Sequence, residues 1–87
     1  MHTDQRWIVG RAPDANVRVD DVTVSRRHAA LTFQGCAATV EDLGSTHGTL
    51  LNGHAVTTQR SLSAGDTVRV GHTRLLVVEC PARNATP

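Results

Sequence analysis

Tyrosine and lysine are absent from this chain of 87 residues, and Trp7 and Phe33 are its only aromatic residues. An interior so poor in rings has to be filled by aliphatic side chains. With no lysine, all nine basic residues are arginines, so every strong cationic donor is a planar guanidinium fork. Those nine face eight acidic residues, and a formal charge of +1 gives no long-range field that would by itself recruit nucleic acid or an acidic membrane. Cys36 and Cys80 stand far apart with no CxxC, which reads as two reduced thiols rather than a disulfide. No apolar run approaches the ~20 residues that span a bilayer, and the opening "MHTDQR" lacks the apolar segment of a signal peptide. The expectation is a soluble, cytoplasmic domain with no membrane and no nucleic-acid partner.

What the chain does have is valine and threonine, eleven of each. Their branched side chains suit strands better than helices. Short β-branched or alternating runs recur as "RWIVG", "NVRVD", "HAALTF", "ATVED", "GTLLNG", "TVRVG" and "RLLVVE". Between them lie turn-forming clusters, among them "APDAN", "LGSTHG", "NG" and "SAGD". No helical period lasts more than a turn. The pattern predicts one all-β domain, a sandwich or barrel, over residues 7–80, after an extension over 1–6 and before a tail or linker over 81–87.

The stretch "VSRRHAAL", Val24 to Leu31, sets a serine, two arginines and a histidine ahead of an apolar run. Strand alternation predicts Ala29, Leu31 and Phe33 toward the core and His28, Ala30 and Thr32 away from it. Ser25 and His28 suggest a nucleophile and base, but no orienting acid or nucleophile elbow accompanies them, and "GSTHG" has its serine one place too early. No catalytic residue is assigned. His28, His47, His54 and His72 show no paired metal-ligand spacing, so neither a metal nor a cofactor is expected. Arg26 and Arg27 lack the extended basic face and aromatic platform of a nucleic-acid site.

Read together and in order, "GR" (Gly10, Arg11), "VSRRHA" (Val24 to Ala29), "DLGSTHGT" (Asp42 to Thr49), "NG" (Asn52, Gly53) and "LSAGDTVRVG" (Leu62 to Gly71) resemble the forkhead-associated (FHA) domain. The likeness covers about Trp7 to Val78. It implies a two-sheet antiparallel β-sandwich of the SMAD/FHA type. It also implies a phosphothreonine-dependent interaction module, not an enzyme, that recruits partners phosphorylated by a Ser/Thr kinase, the partner being such a kinase or its substrate. A phosphothreonine carries close to two negative charges and three acceptor oxygens, so its receptor needs forked cations and hydroxyl or amide donors.

By the resemblance, Arg11 matches the phosphate-binding arginine and Ser25 the serine whose hydroxyl and amide hold a phosphate oxygen. Arg26 stands where many members place a second donor, and Thr46 lines the site. Gly10, His28, Gly48 and Asn52 are expected to support the binding loops, while Arg27 is a solvated rim charge. Selectivity after the phosphothreonine is expected from Thr23, Gly71, His72 and Thr73. His47 departs from the pattern, standing where an asparagine usually grips the peptide backbone; neutral imidazole also offers one donor and one acceptor. A second departure lies at the start, where nine residues precede Gly10 and an N-terminal edge strand is expected to be absent. The edge of Arg74 to Glu79 would then be bare, and the isolated domain would form a homodimer through it or borrow a strand. The rival reading is a phosphate-independent FHA domain acting as an assembly element.

Overall fold

The computed structural model describes residues 5–35 and 37–77, so Cys36 and Cys80, and the Val78–Glu79 part of the predicted edge, lie outside the described residues. Among the described residues nine strands run in order as β1 (Gln5–Gly10), β2 (Val17–Arg18), β3 (Ala29–Gln34), β4 (Ala37–Asp42), β5 (Thr49–Leu51), β6 (His54–Ala55), β7 (Arg60–Ser61), β8 (Thr67–Val70) and β9 (Thr73–Leu76). They form a five-stranded sheet, β2-β1-β3-β4-β7, and a four-stranded sheet, β6-β5-β8-β9. Every pairing is antiparallel except β1 with β2. Each of the seven sequence runs contributes all or part of a strand among the described residues. The short β6 and β7 were not anticipated, because two exposed residues carry no readable period. β1 begins at Gln5, one residue ahead of the run "RWIVG", since Gln5 pairs with Phe33.

The two sheets face each other across a core of Val9, Val19, Val24, Ala29, Val40, Leu51, Val56, Val68 and Val70. Valine dominates because no large ring is available, and each fully buried valine stabilises the fold by about 1.5 kcal/mol or more over its exposed state. Trp7 and Phe33 sit diagonally across the β1–β3 pair and meet edge to face, with centroids 4.9 Å apart. Alternation holds for Ala29, but Ala30 is fully buried as well. In β5, β8 and β9 the inner row across the sheet is Leu51, Val68 and Leu75, and the outer row is Leu50, Arg69 and Arg74. Among the described residues β9 has no neighbour beyond β8.

Candidate functional site

Three segments meet at one end of the sandwich: the turn after β1, the β2–β3 connection and the β4–β5 connection. Backbone bonds draw the first two together. Arg11 N–H donates to the Ser25 carbonyl at 3.0 Å, Ala12 N–H to that of Arg26 at 3.2 Å, and His28 N–H to that of Val9 at 2.8 Å. The approach is so close that a Cβ on Gly10 would stand 2.0 Å from the Arg26 carbonyl oxygen, a position only glycine leaves open.

His28 is fully buried beneath these loops. The Ser25 amide donates to its Nδ1 at 3.0 Å, and its Nε2 lies 2.8 Å from the Gly48 carbonyl oxygen. An amide can only donate and a carbonyl can only accept, so Nδ1 is bare, Nε2 carries the proton and the ring is neutral. Its own carbonyl accepts from Leu43 N–H at 3.0 Å. One side chain thus stitches the β2–β3 connection to the β4–β5 connection. This corrects the alternation that turned His28 away from the core: β3 begins at Ala29, and His28 belongs to the preceding loop.

The β4–β5 connection is shaped by Asp42. Its carboxylate accepts from the hydroxyls of Ser45 at 2.5 Å and Thr49 at 2.7 Å, and from the amides of Gly44 and Ser45 at 3.0 Å each. Burial pushes this carboxyl up, but the four donors together outweigh it and hold it below the usual range. Ser45 Oγ in turn accepts from Gly48 N–H at 2.9 Å, closing the turn in which Gly48 takes a φ of 80°.

These ties leave a set of donors facing outward. Arg11 Nε donates to the Val24 carbonyl at 3.0 Å, which fixes the plane of the guanidinium and leaves its terminal nitrogens uncommitted among the described residues. Ser25 Oγ accepts from Thr46 N–H at 3.1 Å, so Ser25 and Thr46 are brought together across the two loops. The Ser25 amide, expected on a phosphate oxygen, is already spent on His28, which leaves its hydroxyl as the donor on offer. Arg26, Arg27, Thr46 and His47 are exposed around this point.

A second tie holds the turn between β8 and β9. Asp21 accepts from Thr23 N–H at 2.9 Å and Thr23 Oγ1 at 2.6 Å, and from Thr73 Oγ1 at 2.7 Å; Thr23 Oγ1 then accepts from His72 N–H at 2.9 Å. Donation from the Thr23 hydroxyl, then from the Thr23 amide and the Thr73 hydroxyl, holds the Asp21 carboxyl well below its ordinary value. A Cβ on Gly71, at φ 59°, would meet Thr23 Oγ1 at 2.5 Å. Thr23, Gly71, His72 and Thr73 are therefore assembled as one unit, with Val22 exposed at its tip.

Asn52 is a correction. It sits in the β5–β6 turn at φ 51°, donates to Asp66 at 3.0 Å and accepts from Thr67 N–H at 2.9 Å. Three extended residues from Thr49 carry it roughly 10 Å away, to the opposite end of β5 from the loops it was expected to support. Asp21, Asp42, Ser45 and Thr49 were the working residues that the sequence reading left without roles. An aspartate two or three places before a serine or threonine was their signal, since such carboxylates bond locally to amides and hydroxyls. Among the described residues no group of three or more His, Cys, Asp or Glu side chains stands together to hold a metal ion.

A family model for the FHA domain matches residues 7–71. The oxoglutarate dehydrogenase inhibitor of Corynebacterium diphtheriae is 43% identical over 72 residues, which cover 83% of this chain and 50% of that protein. The glycogen accumulation regulator GarA of Mycolicibacterium smegmatis is also 43% identical over 72 residues, covering 83% of this chain and 45% of that protein. The chain thus spans half the length or less of these curated relatives. A structure solved in a structural and functional analysis of phosphothreonine-dependent FHA domain interactions superposes with a TM-score of 0.82 at 38% identity, over 87% of this chain and 78% of that one.

Proposed function

This chain belongs to the FHA domain family, and from that membership we propose how its loop end reads a phosphorylated partner. The domain is a phosphothreonine-dependent protein–protein interaction module of Ser/Thr kinase signalling. Arg11 and the Ser25 hydroxyl hold the phosphate, Arg26 adds a second fork, Thr46 lines the site, and His47 grips the peptide backbone. The observation that carries this reading is the Arg11 guanidinium, pinned through Nε by the Val24 carbonyl so that its free edge is presented without rotamer search. The relatives are an inhibitor and a regulator by name, which fits a binding module rather than an enzyme. We place the module in the cytoplasm, with a Ser/Thr kinase or its substrate as partner.

Residues that follow the phosphothreonine are read by the unit built from Thr23, Gly71, His72 and Thr73, which Asp21 holds in place. A charge-assisted phosphate contact is worth about 1.5–3 kcal/mol, so Arg11→Ala weakens a phosphothreonine peptide by roughly tenfold or more. Calorimetry on the folded variant checks this, with the unphosphorylated peptide as the baseline. Unchanged affinity would remove Arg11 from the site.

A further inference from the structure

The outer face of the second sheet carries an arrangement that the phosphothreonine site does not use. Leu50 pairs with Arg69 and Arg69 with Arg74, so two arginines stand directly opposite each other on neighbouring strands. Like charges opposed in this way repel, and a sheet with no use for them does better with one of the pair replaced. No carboxylate relieves them among the described residues. Arg69 is held by its Nε donating to the Gly71 carbonyl at 3.0 Å, and the side chain of the exposed Arg74 meets no hydrogen-bond or ion-pair partner among the described residues. Asp66, which directly precedes β8, already accepts from Asn52 at 3.0 Å and Ser63 N–H at 2.7 Å.

The two guanidinium groups border a shallow basin of about 480 Å³ lined by Leu50, Asn52, Gly53, Thr67, Arg69 and Arg74. One row further along the sheet, opposite Thr67, Leu76 is 65% exposed. The surface is therefore cationic in the middle and apolar at two points, and it begins directly below the His72 turn of the reading unit. We propose that this sheet face docks an extended acidic segment of the same phosphorylated partner, its carboxylates on Arg69 and Arg74 and an apolar side chain against Leu50.

Charge complementarity selects this occupant, because guanidinium forks match carboxylates bidentately and no carboxylate among the described residues meets them on this face. Exposed pairs are weak one at a time. They count when the phosphate anchor has already brought the segment to the sheet, so that its docking becomes intramolecular. The proposal rests on the phosphothreonine reading only for that anchor.

The test compares two phosphothreonine peptides with the same core. One carries an extension of about ten residues rich in Asp and Glu with one Leu, and the other an equally long Ser-Gly extension, each placed before or after the core; ten residues reach about 33 Å. Fluorescence anisotropy on the whole chain at about 50 mM salt is expected to show the acidic extension binding roughly three- to tenfold tighter on one side of the core, with most of the gain gone at about 300 mM. The Arg74→Gln variant, which leaves the Arg69–Gly71 bond in place, is expected to lose most of the gain and still bind the Ser-Gly peptide like the parent. Equal binding of both extensions by the parent, or a gain that survives undiminished in Arg74→Gln, overturns the proposal. Should neither phosphopeptide bind, the phosphothreonine reading fails instead. The acidic segment alone, titrated at millimolar concentration against amide NMR signals, then decides the sheet face: shifts confined to Leu50, Thr67, Arg69 and Arg74 uphold it, and their absence overturns it.

Discussion

The tie around His28 and the tie around Asp21 fasten neighbouring parts of the same loop end, yet one is dry and the other wet. His28 is fully buried, neutral, and bonded to a backbone donor on one side and a backbone acceptor on the other. Asp21 is partly exposed, charged, and bonded mainly to hydroxyls that water can replace. Each tie also relies on a glycine that lets two backbones touch, Gly10 against Arg26 and Gly71 against Thr23. A buried partner cannot be exchanged for water, so the His28 tie couples the site to the stability of the fold. The Asp21 tie governs where the reading unit points at much lower cost to the fold.

Three substitutions test that contrast, from the largest effect to the smallest. Gly10→Ala drives a methyl into the Arg26 carbonyl, and neither backbone can yield without breaking the bonds from Arg11, Ala12 and His28. It is expected to destabilise by at least about 3 kcal/mol, a large share of what a domain of this size has, and urea unfolding monitored at Trp7 checks it. A parent-like midpoint would show that the two segments can separate freely.

His28→Ala leaves the Ser25 amide and the Gly48 carbonyl without their partner inside a cavity. The expected loss is about 2–4 kcal/mol, together with weaker phosphopeptide binding even though His28 touches no ligand. Thermal unfolding and calorimetry on the same sample separate the two effects. Lost stability with intact affinity would mean that Ser25 keeps its place unaided.

Asp21→Asn is the mildest of the three. The carboxyl is held below its usual value in the folded protein, so its charge favours folding. That contribution is complete above the unfolded value of about 4 and disappears as pH falls below it, because the unfolded chain takes up the proton first. Melting temperatures followed from about pH 6 downward are expected to fall less steeply in Asp21→Asn than in the parent. At neutral pH the variant should keep its affinity for a phosphothreonine core while its preference among following residues broadens, as an oriented peptide library would read. An unchanged preference would detach Asp21 from selectivity.

The strands, and the three segments that meet at the loop end, were legible in the residues. β-branched runs between turn formers marked the strands, since period and turn chemistry are local properties of the chain. The order of the Gly10–Arg11, Ser25–His28 and Ser45–Gly48 segments marked the loop end. The carboxylates beneath it were not legible. Asp42 stood at the end of the strand run "ATVED" and Asp21 was given no role, and only its meeting with Thr73, 52 positions away, turns Asp21 into a brace.

The sequence by itself determined that the chain is all-β, that its core is aliphatic and that its only strong cations are guanidinium forks, because composition and period are set before folding. Tertiary structure alone decided which groups of those residues remain free to act. It committed the Ser25 amide to His28, sent Asn52 to the far end of β5, and set Arg69 opposite Arg74. Hydrogen bonds are claimed by whichever partner the fold brings near, and cross-strand neighbours are fixed by register. Neither can be read from residues that lie far apart along the chain.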